Sequence, residues 1–497
     1  AETSANQEVR DAEPPEANSR YLPYRVQPAR KTASDTDSLG NPVPDTLSLP
    51  FFDNFSGPYT EGAANHPDTN LWFDSRTVFT FRTSAINPPD VGTVEFDGTN
   101  DEAERYITVV ASGTADSLLS QAFDLSSYSA ADNIYLSFWV QPGGLADNPE
   151  DDDFLRLFFL DEDTNWVEQL VLAPGDTTSF LPVAVPVNQP EYLHGGFQFK
   201  FENTAALTGH YDVWHLDYVS LDINRSLGDT VQPDAAVQNF ARSILDTPYT
   251  HMTLREYNAL RDDSQQVMAG LQVGVRNKDV APTDRSLNVR TSLPFPWSQT
   301  QAITGSLDTT VQVSVPSLGQ TTAETNPFFQ QFFTENVLLE TALSLNATSS
   351  DTLRSNDTLS FYTRLDTILA YDDGEAETGY GIRAPRGFVQ RYSLTEPDTL
   401  RAVWINFTPS HEVQPEKAFE LIVYANLELD SLIYSSFVGF NVRYGDNPNH
   451  YERYDLDTLL PVGTEFFVGI RQPDPVPVNV GMDLSFVGND WIYRDST

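Results

Sequence analysis

From Leu49 onward the sequence runs in short alternating segments, and this rhythm constrains the fold more than any other feature. NIYLSFWVQ puts Ile134, Leu136, Phe138 and Val140 on one side of an extended chain, and GGFQFKFEN does the same with Phe197, Phe199 and Phe201. Successive strand side chains point to opposite faces, so a period of two buries one face and wets the other. Ten such runs lie between residues 48 and 223: SLPFFDNF, VFTFRTSAI, VGTVEFDG, RYITVVAS, NIYLSFWVQP, DFLRLFFLD, WVEQLVLA, FLPVAVPV, GGFQFKFEN and DVWHLDYVSLDI. Gly, Pro, Asn or Asp punctuates them, and the pattern predicts an antiparallel β-sandwich over residues 49–226.

Residues 227–366 are less regular. LQVGVRNKDV, RSLNVRTSL, TTVQVSVPSL, VLLETALSLNA and DTLSFYTRLDTIL alternate as strands do, which predicts a smaller Ig-like or fibronectin-like sandwich. Stretches around Ala235–Leu245 and Leu254–Leu260 read as short helices or irregular connections. Residues 367–497 are again strand-like, and their order of features matches the first block. An aromatic-acidic turn opens each (Phe52-Asp53-Asn54; Tyr371-Asp372-Asp373), a Trp-bearing strand follows (NIYLSFWVQP; LRAVWINFTP), then a long apolar strand (FLRLFFLD; FELIVYAN). Residues 1–48 are polar and aperiodic, as an extended tail would be. The expected fold class is therefore all-β: tandem β-sandwiches (jelly roll, Ig-like, jelly roll) behind an extended N-terminal tail.

Charge and cysteine content narrow the chemistry. Lys and Arg number 29 against 71 Asp and Glu, giving 29 − 71 = −42 over 497 residues. Phosphate contacts need clustered cations, so nucleic acid and anionic membrane surfaces are poor partners. No apolar run is long enough to span a bilayer. Cysteine is absent, which excludes disulfides, thiolate metal sites and cysteine nucleophiles.

A set of motifs in the first block, LPFFDNFSG, VEFDGTNDEAERY, DSLLSQAFDLSSY, IYLSFWVQPGG, NPEDDDFLRLFF, GGFQFKFEN and DVWHLDYVSL, resembles the MAM-like (concanavalin-like) jelly-roll domains of secreted and surface proteins of Bacteroidota. AYDDGEAETGYGI in the third block resembles a strand-and-turn motif of the same proteins. The resemblance implies an exported protein of the type IX secretion pathway, extracellular or on the outer cell surface, with an adhesive or structural role. Such proteins usually continue into a C-terminal sorting domain; the sequence here ends at DWIYRDST.

Catalytic motifs are missing: there is no GxSxG elbow, HExxH pair or GxxxxGK[ST] loop. The seven histidines are scattered, and only His210 and His215 lie close. Five positions apart on a strand they are expected on opposite faces, wrong for joint metal binding. Calcium is the stronger site hypothesis, because Ca²⁺ takes six to eight oxygens from carboxylates and loop carbonyls. Asp53 in the opening turn and Asp217 in the last strand of the first block are expected to approach each other. Asp97 and Asp101 share the FDGTND turn. Asp147, Glu150, Asp151, Asp152 and Asp153 form a dense acidic loop, and Asp372, Asp373 and Glu375 a further cluster. The alternative for each is a solvated acidic turn.

Seven tryptophans, at 72, 139, 166, 214, 297, 404 and 491, are candidates for core or for a sugar platform. These features together predict a non-enzymatic structural or adhesive protein whose partners are other protein subunits or surface proteins. A glycan-binding module is the alternative, and a polysaccharide or peptide hydrolase the weaker one.

Overall fold

The computed structural model describes residues 43–495, excepting 58, 60–63, 76, 108–110, 230–232, 241–242, 263–266, 294–307, 328–330, 347–352, 354–355, 382–385, 410–416, 437–438, 446–447, 474–477 and 486–490. Most of the expected tail, residues 1–42, lies outside the described residues. Thr46–Leu47, at its end, is a strand pairing in parallel with Ala122–Asp124, so ordered structure begins before Leu49.

The chain is all-β apart from two short 3-10 turns and one α-helix among the described residues, and its sheets stack as sandwiches. In the first block a five-stranded sheet runs Trp166–Leu172, Leu155–Leu160, Phe199–Ala206, Ser112–Ser120, Trp72–Asp74. It faces a six-stranded sheet built on Tyr135–Pro142, Gly209–Asp222 and Thr93–Gly98. The predicted alternation holds: Leu155, Leu157 and Phe159 are buried, and Arg156, Phe158 and Leu160 lie on the outer face. Phe51, Trp72, Phe138, Phe159, Phe199 and Phe201 form the centre of one apolar core. Ser112–Ser120 was not expected as a strand; the sequence rhythm pointed instead to the run just before it, part of which is undescribed.

A second core, from Val237 to Tyr371 and joined by Val91 of the first block, lies between a three-stranded and a five-stranded sheet. Ala235–Phe240, expected as helix or connection, is instead a strand pairing with Gln272–Asn277. The small residues Ala235 and Ala236 and Val237 are fully buried there, so pairing overrides their local preference. Leu254–Asp262 is the helix; Thr253 Oγ1 caps it by accepting from Glu256 N at 3.2 Å. A third core, Phe388 to Val480, fills the last block, whose sheets have four and six strands.

The blocks meet through buried polar contacts. A one-residue bulge in Gly209–Asp222 (Asp217 opposite Trp139, Ser220 opposite Ser137) puts Tyr218 at φ 54°. Its hydroxyl donates to Asp234, and its ring carries the Lys278 ammonium 2.9 Å from the centroid. Asn356 Nδ2 donates to Asp90 and Asp234 at 2.8 and 2.9 Å. Burial pushes Asp90 up to about 7, while Lys278 opposes the rise.

Candidate functional site

The sequence reads His210 and His215 as facing apart, and the structure corrects that. Between the pairs Gly209–Gly98 and Trp214–Phe96, five steps along one strand match two along its neighbour. The extra residues form a bulge in which Asp212 takes φ 58°, a left-handed conformation Asp tolerates better than most residues. An odd number of inserted residues reverses the facing, so both rings turn toward Glu95. His210 Nε2 donates to Glu95 Oε1 at 2.7 Å and lies 3.6 Å from Asp97 Oδ2. His215 Nδ1 is 3.7 Å from Glu95 Oε2, and its Nε2 donates to Gly143 O at 3.0 Å. Ser84 Oγ also donates to Glu95. Asp97 Oδ1 accepts from Thr99 N and Oγ1 at 2.6 and 2.8 Å.

Glu95 and Asp97 share one face of Thr93–Gly98 while Val94 and Phe96 fill the core from the other. The strand is buried on both faces, with Glu95, Asp97 and His210 only 1–2% exposed. Gly98 closes it where a Cβ would meet Ala206 O at 1.9 Å, so the bulged hairpin lies directly on the strand end. Glu95, Asp97 and His210 each offer a donor atom within 4.8 Å of the others. That set suits a borderline divalent cation or a buried proton-sharing chain; substrate cannot reach it.

The same hairpin holds a second cluster. Asp212 Oδ2 accepts from Ala206 N at 2.7 Å, and Asp212 N donates to Asp147 Oδ2 at 3.3 Å. Glu150, Asp153 and Asp212 bring carboxylate oxygens within 4.8 Å of one another. Asp153 N donates to Glu150 O at 3.0 Å, a turn that points Asp153 inward and leaves Asp151 and Asp152 exposed. Burial raises Asp212 to about 9, aided by Glu150; it raises Asp147 to about 7 and Asp153 to about 6.

The remaining predicted residues lie outside these two clusters. Asp53 and Asp217 lie on paired strands, with Asp53 opposite Val219, and the Asp53 charge is among those that raise Asp217. Asp53 accepts from Trp72 Nε1 at 2.7 Å and from Phe55 N at 2.9 Å, and burial lifts it to about 6. Asp217 is raised well above the carboxylate range by burial and then by Asp90. Asp101 is half-buried and joins neither cluster. Glu375 is committed to docking: Oε2 accepts from Arg82 N, Thr83 N and Thr83 Oγ1 at 3.1, 3.1 and 2.6 Å, and Oε1 from the Tyr59 hydroxyl. Asp373 accepts from Glu375 N and Ser485 Oγ at 2.9 and 3.0 Å, and Asp372 from Gly374 N at 3.2 Å. This third-block turn is a clamp on the first sandwich.

The tryptophans divide clearly. Trp72 and Trp214 are core, and Trp139 lies on the outer face beneath Arg276, whose guanidinium is 5.6 Å from the ring centroid. The side chains of Trp297 and Trp491 lie outside the described residues. Trp166 and Trp404 are 36% and 49% exposed. Trp166 opens the edge strand of the five-stranded sheet, opposite Leu160, with Glu168 opposite Phe158. Phe158 in turn faces Lys200, and Arg156 faces Glu202. Pairing register therefore lays Trp166, Phe158 and Leu160 side by side on one outer surface. The Lys200 ammonium lies 4.8 Å from the Phe158 ring centroid and 5.3 Å from that of Trp166, and bonds Glu202 Oε2 at 2.8 Å. Arg156 lies 3.6 Å from Glu168 and donates to Thr204 Oγ1. The result is an aromatic pair with the Lys200 ammonium over both rings and further donors and acceptors alongside.

No family model matches the chain, and no curated protein does. Among solved structures, the tandem CBM22 domains from Paenibacillus barcinonensis Xyn10C align at 9% identity over 91% of this chain and 98% of theirs, with a TM-score of 0.22. A GH2 β-galacturonidase from Eisenbergiella tayi aligns at 11% identity over 50% of this chain, with a TM-score of 0.22. A putative β-galactosidase from Bacteroides fragilis aligns at 9% identity over 52%, with a TM-score of 0.21. The chain spans about a third of the length of these two enzymes, 35% and 34%. Scores of this size do not establish a shared fold.

Proposed function

We propose that this chain is a non-enzymatic adhesive protein, exported to the cell surface or beyond, that attaches by binding glycan on the outer face of its first sandwich. The carrying observation is the lateral arrangement of half-exposed Trp166 and Phe158 around Lys200, with Glu202, Arg156 and Glu168 alongside. A pyranose ring has an apolar C–H face and a polar hydroxyl rim. A flat aromatic surface takes the first, and charged or polar groups within reach take the second. The side chains lie on adjacent strands of one sheet, so the surface is preformed and loses little entropy on binding.

A non-catalytic role is favoured by where the best carboxylate pair lies. Glycoside hydrolysis needs two carboxyls flanking a bound sugar. Glu95 and Asp97 are buried, and Glu168 and Glu202 on the open face are tied to Arg156 and Lys200. A second reading is attachment through protein. Trp166–Leu172 is an edge strand with Trp166, Val167 and Val171 exposed, so an extended segment of another chain can add to it by backbone hydrogen bonds.

A glycan array probed with the labelled protein tests the proposal. Saturable binding to a group of related oligosaccharides, lost in Trp166→Ala, is expected. An array without hits, combined with capture of extended peptides, would move the function to strand addition.

A further inference from the structure

We infer that Glu150, Asp153 and Asp212 form a calcium site that ties the loop between Gly143 and Phe154 to the bulged hairpin of the first sandwich. Three carboxylates from two chain segments bring oxygens within 4.8 Å of one another, a spacing that one cation spans at ordinary Ca–O distances. A second, independent observation points to the cation. Asp212 is fully buried; its Oδ2 accepts from Ala206 N, but its Oδ1 has no hydrogen-bond partner. Leaving a buried carboxylate oxygen unmet is costly, and the charged groups that bear on it, Glu150 and Asp153, are acceptors as well. Carboxyls that face one another with no other donor between them are held either by a shared proton or by a cation, and calcium binding would displace that proton.

The ligand chemistry selects the metal. All donors are oxygens, with no imidazole in the set, which favours a hard cation over zinc or copper. Glu150 is exposed, so one side of the site opens to water, and Ca²⁺ fills its remaining positions with water readily. The backbone is already arranged to hold the two segments. Val213 N donates to Asp147 O at 3.1 Å and Gly143 N to Val213 O at 2.8 Å, while Thr204 N donates to Phe154 O at 2.8 Å. Gly143 has φ 67°, and a Cβ there would strike the Asn148 side chain at 1.8 Å, so the loop folds tightly over its own start. The site stands on these residues alone and does not depend on what the aromatic face binds.

The test is calcium titration by calorimetry on protein stripped with EDTA, alongside thermal melts with and without millimolar Ca²⁺. One saturable site is expected, with a dissociation constant between about 10⁻⁶ and 10⁻³ M, and a higher melting temperature with calcium. Asp212→Asn keeps an oxygen for Ala206 N, and Glu150→Gln lies at the surface where folding is insensitive to it. Each is expected to weaken binding at least about tenfold, the loss of one charged ligand, and to abolish the thermal shift. Asp101→Asn is expected to change neither. Equal calcium affinity in wild type, Asp212→Asn and Glu150→Gln would overturn the inference. So would the absence of a saturable site, or a preference for Zn²⁺ over Ca²⁺ at a site that both Asp212→Asn and Glu150→Gln abolish.

Discussion

Glu375 should hold the third block on the first, and removing its carboxylate should loosen that contact by a calculable amount. It accepts four hydrogen bonds, from Arg82 N, Thr83 N, Thr83 Oγ1 and the Tyr59 hydroxyl, at 1% exposure. Arg82 and Tyr59 are half-buried and can turn to water, but Thr83 is buried and cannot. Glu375→Ala therefore strands two buried donors, at about 1–3 kcal/mol each, or ~4 kcal/mol in all. Glu375→Gln keeps one oxygen for the Thr83 groups and offers its amide to the Tyr59 oxygen, so its cost is about 1 kcal/mol. A single melting temperature does not say which contact between three cores has opened. Hydrogen exchange at the Thr83 amide reports the local opening directly. At 1.4 kcal/mol per decade, exchange should quicken about a thousandfold in Glu375→Ala and about tenfold or less in Glu375→Gln. Exchange in Glu375→Ala within about threefold of wild type would refute the clamp.

Two further perturbations probe other buried carboxyls. Burial, then Asp373, raises Glu377 from 4.5 to about 8. A carboxyl with a raised folded pKa favours folding while protonated, so its contribution is lost as pH climbs between 4.5 and about 8. Denaturant unfolding should show Glu377→Gln flattening the fall in stability across that window; an unchanged slope would contradict the assignment. Trp72→Phe deletes the indole N–H that meets Asp53 at 2.7 Å and part of a ring packed against Phe51, Phe55 and Phe199. It should cost about 2–4 kcal/mol in the first block's unfolding, and less than about 1 kcal/mol would show that water replaces the bond.

Period-two patterning was enough to find most strands, because each sheet has one face on a core: Val337–Leu345 and Thr358–Asp366 alternate without a break. It failed where the phase changes. Nothing in GHYDVWHLDYVSLDI marks the bulges that swing His210 and His215 together and turn Tyr218 toward the second block. Bulges arise from pairing with Thr93–Gly98 and Tyr135–Pro142, which are distant in sequence. Glu95 was missed for the same reason: in VGTVEFDG it reads as a solvent-side residue, yet the loop at Ser84 and the hairpin cover that face. Asp153 was legible as part of an acidic loop, but its partner Asp212 lies 59 positions on, and only the fold brings them together. Glu375 was legible as acidic and not as a clamp, since its donors are some 290 residues away. Trp166 differs from Trp139 in lying on an edge strand, a property of strand order that local sequence does not carry.

The most direct test of glycan attachment is a calorimetric titration of the best oligosaccharide from the array into wild type, Trp166→Ala and Trp404→Ala. Loss of a central aromatic contact costs about 2 kcal/mol, roughly thirtyfold in affinity. Trp166→Ala should show that loss, while Trp404→Ala, exposed on the third block beside Arg453, should bind as wild type does. Equal affinity in wild type and Trp166→Ala would contradict the assignment of the face that carries Trp166, Phe158 and Lys200.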